Sequence, residues 1–456
     1  MRSLLLPAEA AAFRLLGSIS RATGRGGGTT LPGKALWRVD PGAVTALAAR
    51  LPDGVALVSA TNGKTTTAAM ATSILERRAP VLANPGGANL VSGVASALLA
   101  PRRSRRRAVL EVDEAALPTV ASALAPHVLL LGNLFRDQLD RYGELEHVAN
   151  RWEVAIRASH AVLVVNADDP RLAALARGRA NAVLFGIDDP RHALPDLQHA
   201  VDSVYCTTCG SAYRYAAIYS GHLGDFRCAT CGEHRPRLDV VASEIALHGL
   251  NGSTFTIDLG GASAHVDLAV PGLYNVYNAL AAAALAHACG ASAADIAAGL
   301  GAFSAAWGRF ERIPTSDRTV LLLLIKNPAG ANEVVRTLVS GEAPTTAVIA
   351  LNDEIADGRD VSWIWDVDFE PLAHGLERLV ATGSRAEELA LRFAYAGLHR
   401  DRIEVVHDLE RALDRGLALT PAGGELTVLP TYTAMVELRG VAAARGGLRD
   451  YWEADE

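Results

Sequence analysis

The sequence predicts an α/β protein: a mostly parallel sheet with helices on both faces, interrupted by a small insert and followed by a second, smaller α/β section. Three observations carry this. Short apolar runs alternate with helical stretches from residue 54 onward, the pattern of strands buried on both faces. The rhythm breaks at 201–236, where four of the five cysteines stand among polar and aromatic residues. It resumes beyond that segment and starts a second time near 319.

Taken in order, the first 45 residues read as a short apolar helix and a Gly-rich loop at 24–32, too little for a domain. Val55-Ala56-Leu57-Val58 is the first strand, followed by a Gly turn and a helix over 65–77. Further strands fall at 108–112, 128–131, 161–165 and 182–185. After the insert, 253–270 alternates as strand, and an Ala-rich helix runs from Tyr274 to about 288, ahead of Gly290. Ser292 is a natural N-cap for a short helix over 293–303. The second section carries strands at 320–325, 346–351, 378–381, 402–406 and 426–429. The expected organisation is a lead (1–45), a phosphate-loop domain (46–315) holding the insert (201–236), and a smaller Rossmann-like C-terminal domain (316–456). The boundary is placed at 313–319, in Ile313-Pro314-Thr315-Ser316.

The 456 residues suit roughly three domains at about 150 residues each. Half are apolar and a fifth charged, which excludes a disordered, collagen-like or coiled-coil chain. A net charge of −7 argues against a nucleic-acid partner. No apolar run reaches the ~18 residues of a membrane span. Glu9 and Arg14 break the N-terminal apolar stretch that a signal peptide needs, so a cytoplasmic address is expected. The chain has three lysines, Lys34, Lys64 and Lys326, against forty arginines. A lysine in such a chain is kept for its compact, point-charge ammonium.

Thr61-Asn62-Gly63-Lys64-Thr65-Thr66 follows a strand and opens a helix, the context of a phosphate-binding loop. Backbone N–H groups there cradle phosphate oxygens, Lys64 reaches the terminal phosphates, and the Thr65 hydroxyl suits Mg²⁺. A full Walker loop has Gly where Val58 stands. Glu111, Asp113 and Glu114 close one strand and Asp168-Asp169 follow another, at the strand ends where such sheets bind ligands. Cys206-x-x-Cys209 and Cys228-x-x-Cys231, eighteen residues apart, can place four thiolates around one structural Zn²⁺. Cys289, near a helix end, reads as a small buried apolar residue. The run Arg102-Arg103-Ser104-Arg105-Arg106-Arg107 reads as a solvated loop, with an anionic membrane surface as its functional alternative. Asp353 to Asp360, an acidic loop ahead of Trp363 and Trp365, has no core explanation and reads as a site, whereas the two tryptophans read as core.

With these residues in hand, the chain resembles the Mur ligase superfamily, whose signature is Thr61 to Thr66. Gly132-Asn133-Leu134 with Asp137 and Asp140, Asn166-Ala167-Asp168-Asp169, Asn275-x-x-Asn278 and Gly308-Arg309-Phe310-Glu311 support it. The zinc insert, Lys326-Asn327-Pro328-Ala329-Gly330, Ala356-Asp357-Gly358-Arg359-Asp360 and Thr431-Tyr432-Thr433 look like the MurT family of ligase subunits, across essentially the whole chain. The resemblance implies ATP-dependent amidation of the D-glutamate α-carboxylate of lipid II through an acyl phosphate. Ammonia would come from a GatD-like glutamine amidotransferase in a heterodimer, and lipid II would be met at the inner membrane face. It implies that Thr61, Asn62, Gly63, Lys64, Thr65, Thr66, Asn133, Asn278, Arg309 and Lys326 bind nucleotide. It also implies that Thr65 with Glu111 or Glu114 holds Mg²⁺, and that Asp360, or else Asp357, orients the partner's catalytic His. Gln138 replaces the His of many relatives, and the lysine that relatives carbamoylate has no counterpart. The alternatives are an amino-acid-adding ligase of the folylpolyglutamate or cyanophycin synthetase type, and a zinc-ribbon NTPase that binds nucleic acid.

Overall fold

The computed structural model describes residues 10–15, 30–84, 87–100, 104–136, 145–199, 201–304, 310–315, 317–341 and 343–446. In chain order these form α1 (Leu31–Val39), α2 (Pro41–Ala48), β1 (Val55–Ser59), α3 (Lys64–Glu76), β2 (Val81–Ala83), α4 (Val91–Leu99), β3 (Arg107–Glu111), α5 (Leu117–Leu124), β4 (Val128–Leu131), α6 (Leu145–Arg157), β5 (Val162–Asn166), α7 (Pro170–Ala176) and β6 (Ala182–Ile187). The hairpin β7 (Tyr213–Ser220) and β8 (Leu223–Cys228) follows, then β9 (Val240–Leu247), β10 (Ser253–Asp258), β11 (Ser263–Leu268), α8 (Leu273–Ala288) and α9 (Ala293–Gly301). The last section holds β12 (Glu311–Thr315), β13 (Arg318–Leu322), α10 (Pro328–Val339), β14 (Thr346–Ala350), α11 (Glu370–Gly375), β15 (Arg378–Thr382), α12 (Ala386–Tyr395), β16 (Ile403–Val405), α13 (Leu409–Leu419), β17 (Glu425–Pro430) and α14 (Tyr432–Gly446).

The first sheet has nine strands in the order β11-β10-β9-β6-β5-β4-β1-β3-β2, parallel from β9 to β2, with β10 and β11 antiparallel at one edge. Both its faces are buried, because alternate residues of each strand enter different cores. Ala56 and Val58 pack with the Ala-rich α8, while Val55 and Leu57 pack with α1, α2, α4 and α5. The small side chains of α8, buried on every face from Asn275 to Ala286, let it lie close on the sheet. Ser292 caps α9 in a reciprocal capping box with Asp295, as its position predicts.

The second sheet, β12-β13-β17-β14-β15-β16, is parallel except for β12 and is likewise covered on both faces. Two expectations change here. Ile313-Pro314-Thr315, read as a linker, lies in β12 and pairs with β13. Proline is tolerated because β12 is an edge strand whose free side needs no donor. The expected lead is not separate either. Leu36, Ala43, Val44 and Leu47 are fully or almost fully buried in the first sheet's core.

Trp363 and Trp365 occupy a 3₁₀ turn, Ser362–Asp366, instead of a core pair: Trp363 is half-buried and Trp365 exposed, edge-on to Tyr395 with ring centroids 5.5 Å apart. Among the described residues, no helix is long and apolar enough to cross a membrane.

Candidate active site

The loop between β1 and α3 is held from three sides. The Asn133 side chain accepts from the Asn62 N–H (2.8 Å) and donates to the Asn62 carbonyl (3.0 Å). The Thr61 hydroxyl accepts from the Phe135 N–H (3.0 Å) and donates to the Phe135 carbonyl (3.2 Å). Gly63 takes φ +83°, and an added Cβ would lie 2.0 Å from Asn278 Oδ1. Only glycine meets both the left-handed backbone and the close approach. The helix behind it has no side-chain N-cap, so its first N–H groups face the loop as anion donors. Gly63→Ala is therefore expected to weaken Mg-ATP binding about tenfold or more by calorimetry, since either the loop or Asn278 must move.

Two carboxylates stand beside this loop. Lys64, on the first turn of α3, is buried and donates to Glu114 Oε2 (2.8 Å) and to the carbonyls of Ala60 and Thr61. The Thr65 hydroxyl donates to Glu111 Oε2 (2.8 Å), and Asn89 donates to Glu111 Oε1 (3.0 Å). A hydroxyl and a carboxylate oxygen side by side make a hard donor pair that fits Mg²⁺. Glu111 thus stands with the Thr65 hydroxyl, and Glu114 is the counter-charge of Lys64. Glu111 is the last residue of β3, set opposite Val58 by the parallel register with β1, and Glu114 follows just beyond the strand.

The far wall comes from the second sheet. Asn327, the N-cap of α10, exchanges side-chain hydrogen bonds with Asn62 at 2.9 and 3.3 Å, and Lys326 Nζ lies 3.5 Å from the Thr61 carbonyl. Asn62, Gly63, Thr66, Asn133, Asn278 and Lys326 line one cavity of about 120 Å³. The structure therefore gathers Thr61 through Thr66, Asn133, Asn278, Lys326, Glu111 and Glu114 around one place. Arg309, Asp137, Gln138 and Asp140 lie outside the described residues.

The acidic loop resolves into two different carboxylates. Asp357 is buried and accepts from the Thr433 N–H (2.8 Å) and hydroxyl, so it has the core role that the sequence reading denied this loop. Asp360 is exposed, and the Ser362 hydroxyl and N–H hold its carboxyl below the usual carboxylate range. It lies in a surface cleft of about 290 Å³ with Trp365, Arg385 and Glu388.

Other candidates are structural. Asp169 caps α7 and Asp168 accepts from Ile187 N–H, Tyr277 and Arg235, its carboxyl pushed up by burial. Cys289, also pushed up by burial to about 11, receives a hydrogen bond from Arg107. Of the basic run, Arg102 and Arg103 lie outside the described residues, and Arg106 pairs with Asp53. The four Sγ atoms of Cys206, Cys209, Cys228 and Cys231 lie within 4.8 Å of one another, a soft donor set that fits Zn²⁺. Asn89 and Glu333 were not singled out, since each is an ordinary polar residue whose surroundings are set by segments distant in sequence.

Comparison with known proteins agrees with this geometry. Residues 58–235 match the Mur ligase middle domain and residues 324–435 the MurT ligase C-terminal family. The MurT subunit of lipid II isoglutaminyl synthase (glutamine-hydrolyzing) from Streptococcus pneumoniae is 34% identical over 427 residues, covering 92% of this chain and 93% of that one. The chain belongs to the MurT family. Its Mur-ligase fold is shared with a pseudomurein peptide ligase type C from Methanothermus fervidus (TM-score 0.69, 21% identity, 88% of this chain and 80% of that one). It is shared too with a Mycobacterium tuberculosis folylpolyglutamate synthase complexed with ADP and AMPPCP (TM-score 0.62, 16% identity, 92% and 95%). MurT membership makes this chain a Mur-type ligase.

Proposed function

We propose that this chain is the ligase subunit that converts the D-glutamate α-carboxylate of lipid II to D-isoglutamine, using Mg-ATP and ammonia delivered by a glutaminase partner. The observation that supports this most is the single cavity in which the Lys64 loop meets Lys326 and Asn327, in a chain of the MurT family. A carboxylate oxygen of the substrate attacks the terminal phosphorus of ATP, the bond to the bridging oxygen breaks, and ADP leaves. Ammonia then attacks the acyl carbon, the carbon–oxygen bond to phosphate breaks, and the nitrogen loses a proton as inorganic phosphate departs. Lys64 and the N–H groups of Gly63 to Thr66 offset charge on the transferring phosphoryl group. Thr65 and Glu111 would hold Mg²⁺, which supplies charge neutralisation at the phosphates. Asn133 fixes the loop, and Asn278 with Lys326 lines the nucleotide cavity; Arg309 belongs to the same reading.

The chain does not supply its own ammonia on this reading, because the raised pKa of Cys289 leaves it little thiolate. On this reading Asp360, exposed and with its carboxyl held below the usual range by Ser362, orients a partner's His, and the adjoining Trp365 and Tyr395 offer an apolar seat for that partner. Lipid II is met at the inner membrane face, the chain approaching as a peripheral protein.

The test measures D-isoglutamine formed from lipid II and Mg-ATP, with either ammonium or glutamine plus partner as nitrogen source. Turnover with ammonium is expected for the chain with its partner, and its absence overturns the assignment. Asp360→Asn is expected to lower glutamine-dependent turnover by roughly 10²–10⁴-fold and to spare the ammonium reaction. Equal loss with both sources would place Asp360 in the ligase site. Asp357→Asn is expected to cost about 1–3 kcal/mol of stability instead, read from the denaturation midpoint.

A further inference from the structure

Glu333, on α10, is almost wholly buried, and neither of its carboxylate oxygens has a hydrogen-bond partner of good geometry, the Ser220 hydroxyl being the polar group that faces it. The nearest cation, Arg336, is 4.0 Å away and is already donating to the carbonyls of Tyr219 and His192. A buried, unsatisfied carboxylate is costly, and such groups in native folds mark a ligand or a function. This one lines the cavity that contains Gly63 and Asn278. The N-cap of the same helix, Asn327, touches the phosphate loop, and six residues further along the helix is about 9 Å. Glu333 therefore stands one nucleoside's length from the phosphate end.

The wall around it favours a flat ring. Val270, Tyr274, Phe303, Phe310 and Leu324 supply an apolar and aromatic lining. Asn275 and Asn278, the amides nearby, are hydrogen-bonded to one another. We infer that Glu333 reads the purine base of the nucleotide, accepting a hydrogen bond from the exocyclic 6-amino group of adenine and so setting the preference for adenine over guanine. This rests on the nucleotide-binding reading above.

The chemistry of the neutral carboxyl form is also compatible with adenine. Burial pushes the Glu333 carboxyl up. Protonated, the group presents an O–H donor and a C=O acceptor, which match N1 and the 6-amino group of adenine. Guanine offers two donors at the corresponding edge and an acceptor where adenine donates, so it matches only an ionised carboxylate. Glutamine keeps the donor–acceptor pair and alanine removes it.

The test compares calorimetric affinities of the full chain, Glu333→Gln and Glu333→Ala for the Mg complexes of ATP, GTP and purine riboside triphosphate, which lacks the 6-amino group. Unsubstituted protein is expected to bind ATP about tenfold or more tightly than the purine analogue, with GTP weaker still. Glu333→Ala should lose that factor for ATP but not for the analogue, and Glu333→Gln should retain it. The nucleotide-free melting temperature of Glu333→Ala should equal or exceed that of the parent, because an unsatisfied buried group is gone. Discrimination retained in Glu333→Ala overturns the inference alone. Equal loss for all three nucleotides with a lowered melting temperature also overturns it, assigning Glu333 a structural role. Failure of the unsubstituted chain to bind any triphosphate removes the nucleotide reading itself.

Discussion

Lys64→Ala is expected to lower ATP-dependent amidation by about 10³-fold or more, because Lys64 is the cation on the phosphate loop and nothing else on α3 replaces it. The same substitution strands Glu114. The pair is 2.8 Å apart, with side-chain exposures of 8% and 6%, so removing one partner leaves a buried carboxylate without its counter-charge. Breaking such a pair costs about 3–5 kcal/mol. Lost activity in Lys64→Ala alone would therefore mix catalysis with folding. The double variant Lys64→Met, Glu114→Gln separates them, since a neutral, similarly sized pair recovers most of the denaturation midpoint while the phosphate site stays without its ammonium. Activity should remain absent in the double variant. Turnover restored along with stability would take Lys64 out of the chemistry and leave it a structural ion pair.

That pair also marks how much of the site was open to reading from the sequence. The phosphate loop was legible because its chemistry is local: strand, Gly at positive φ, Lys at the helix start. The carboxylates were legible only as a cluster after a strand. Which of them faces Lys64 and which faces Thr65 depends on side-chain directions across the β1–β3 register, which spacing alone does not specify. Parallel strands read well because burial on both faces writes them as apolar runs. The edge strand β12 did not, since Pro314 looks like punctuation until its strand is known to lie at the edge.

The misreadings share one cause, which is partners remote in the chain. The acidic loop looked free of any core role because the partner of Asp357, Thr433, is 76 residues away. Glu333 drew no attention because a glutamate within a helix usually faces water; here α10 is packed between the second sheet and the cavity, so the residue is turned inward. The helices α1 and α2 looked like a lead because their apolar residues have value only against α4 and α5, which come later.

Removing the metal is expected to unfold the insert and to weaken nucleotide binding with it. The cluster at the cysteine end of the hairpin β7–β8 is small, Ala173, Cys206, Tyr213, Phe226 and Cys228 with Tyr215 against them, too little apolar burial to hold that end alone, whereas Ala217, Tyr219 and Leu223 at the other end belong to the first sheet's core. A four-thiolate Zn²⁺ site contributes roughly 10–16 kcal/mol of apparent binding free energy to folding. Cys209 and Cys231 are exposed, which gives a chelator access. The hairpin is also tied to the candidate-site side of the fold: Gly224 N–H donates to the Asp168 carbonyl (2.9 Å), Arg235 pairs with the Asp168 carboxylate (3.0 Å), and Ser220 and Leu223 line the cavity beside the Lys64 loop. Elemental analysis should therefore find about one zinc per chain. Cys228→Ser or exhaustive chelation should open 201–236 to limited proteolysis and weaken Mg-ATP binding about tenfold or more, by calorimetry on the same samples. Metal-free protein that resists the protease and binds Mg-ATP unchanged would show that the hairpin stands without its thiolate corner. The cavity would then owe its shape to α8 and α10 alone.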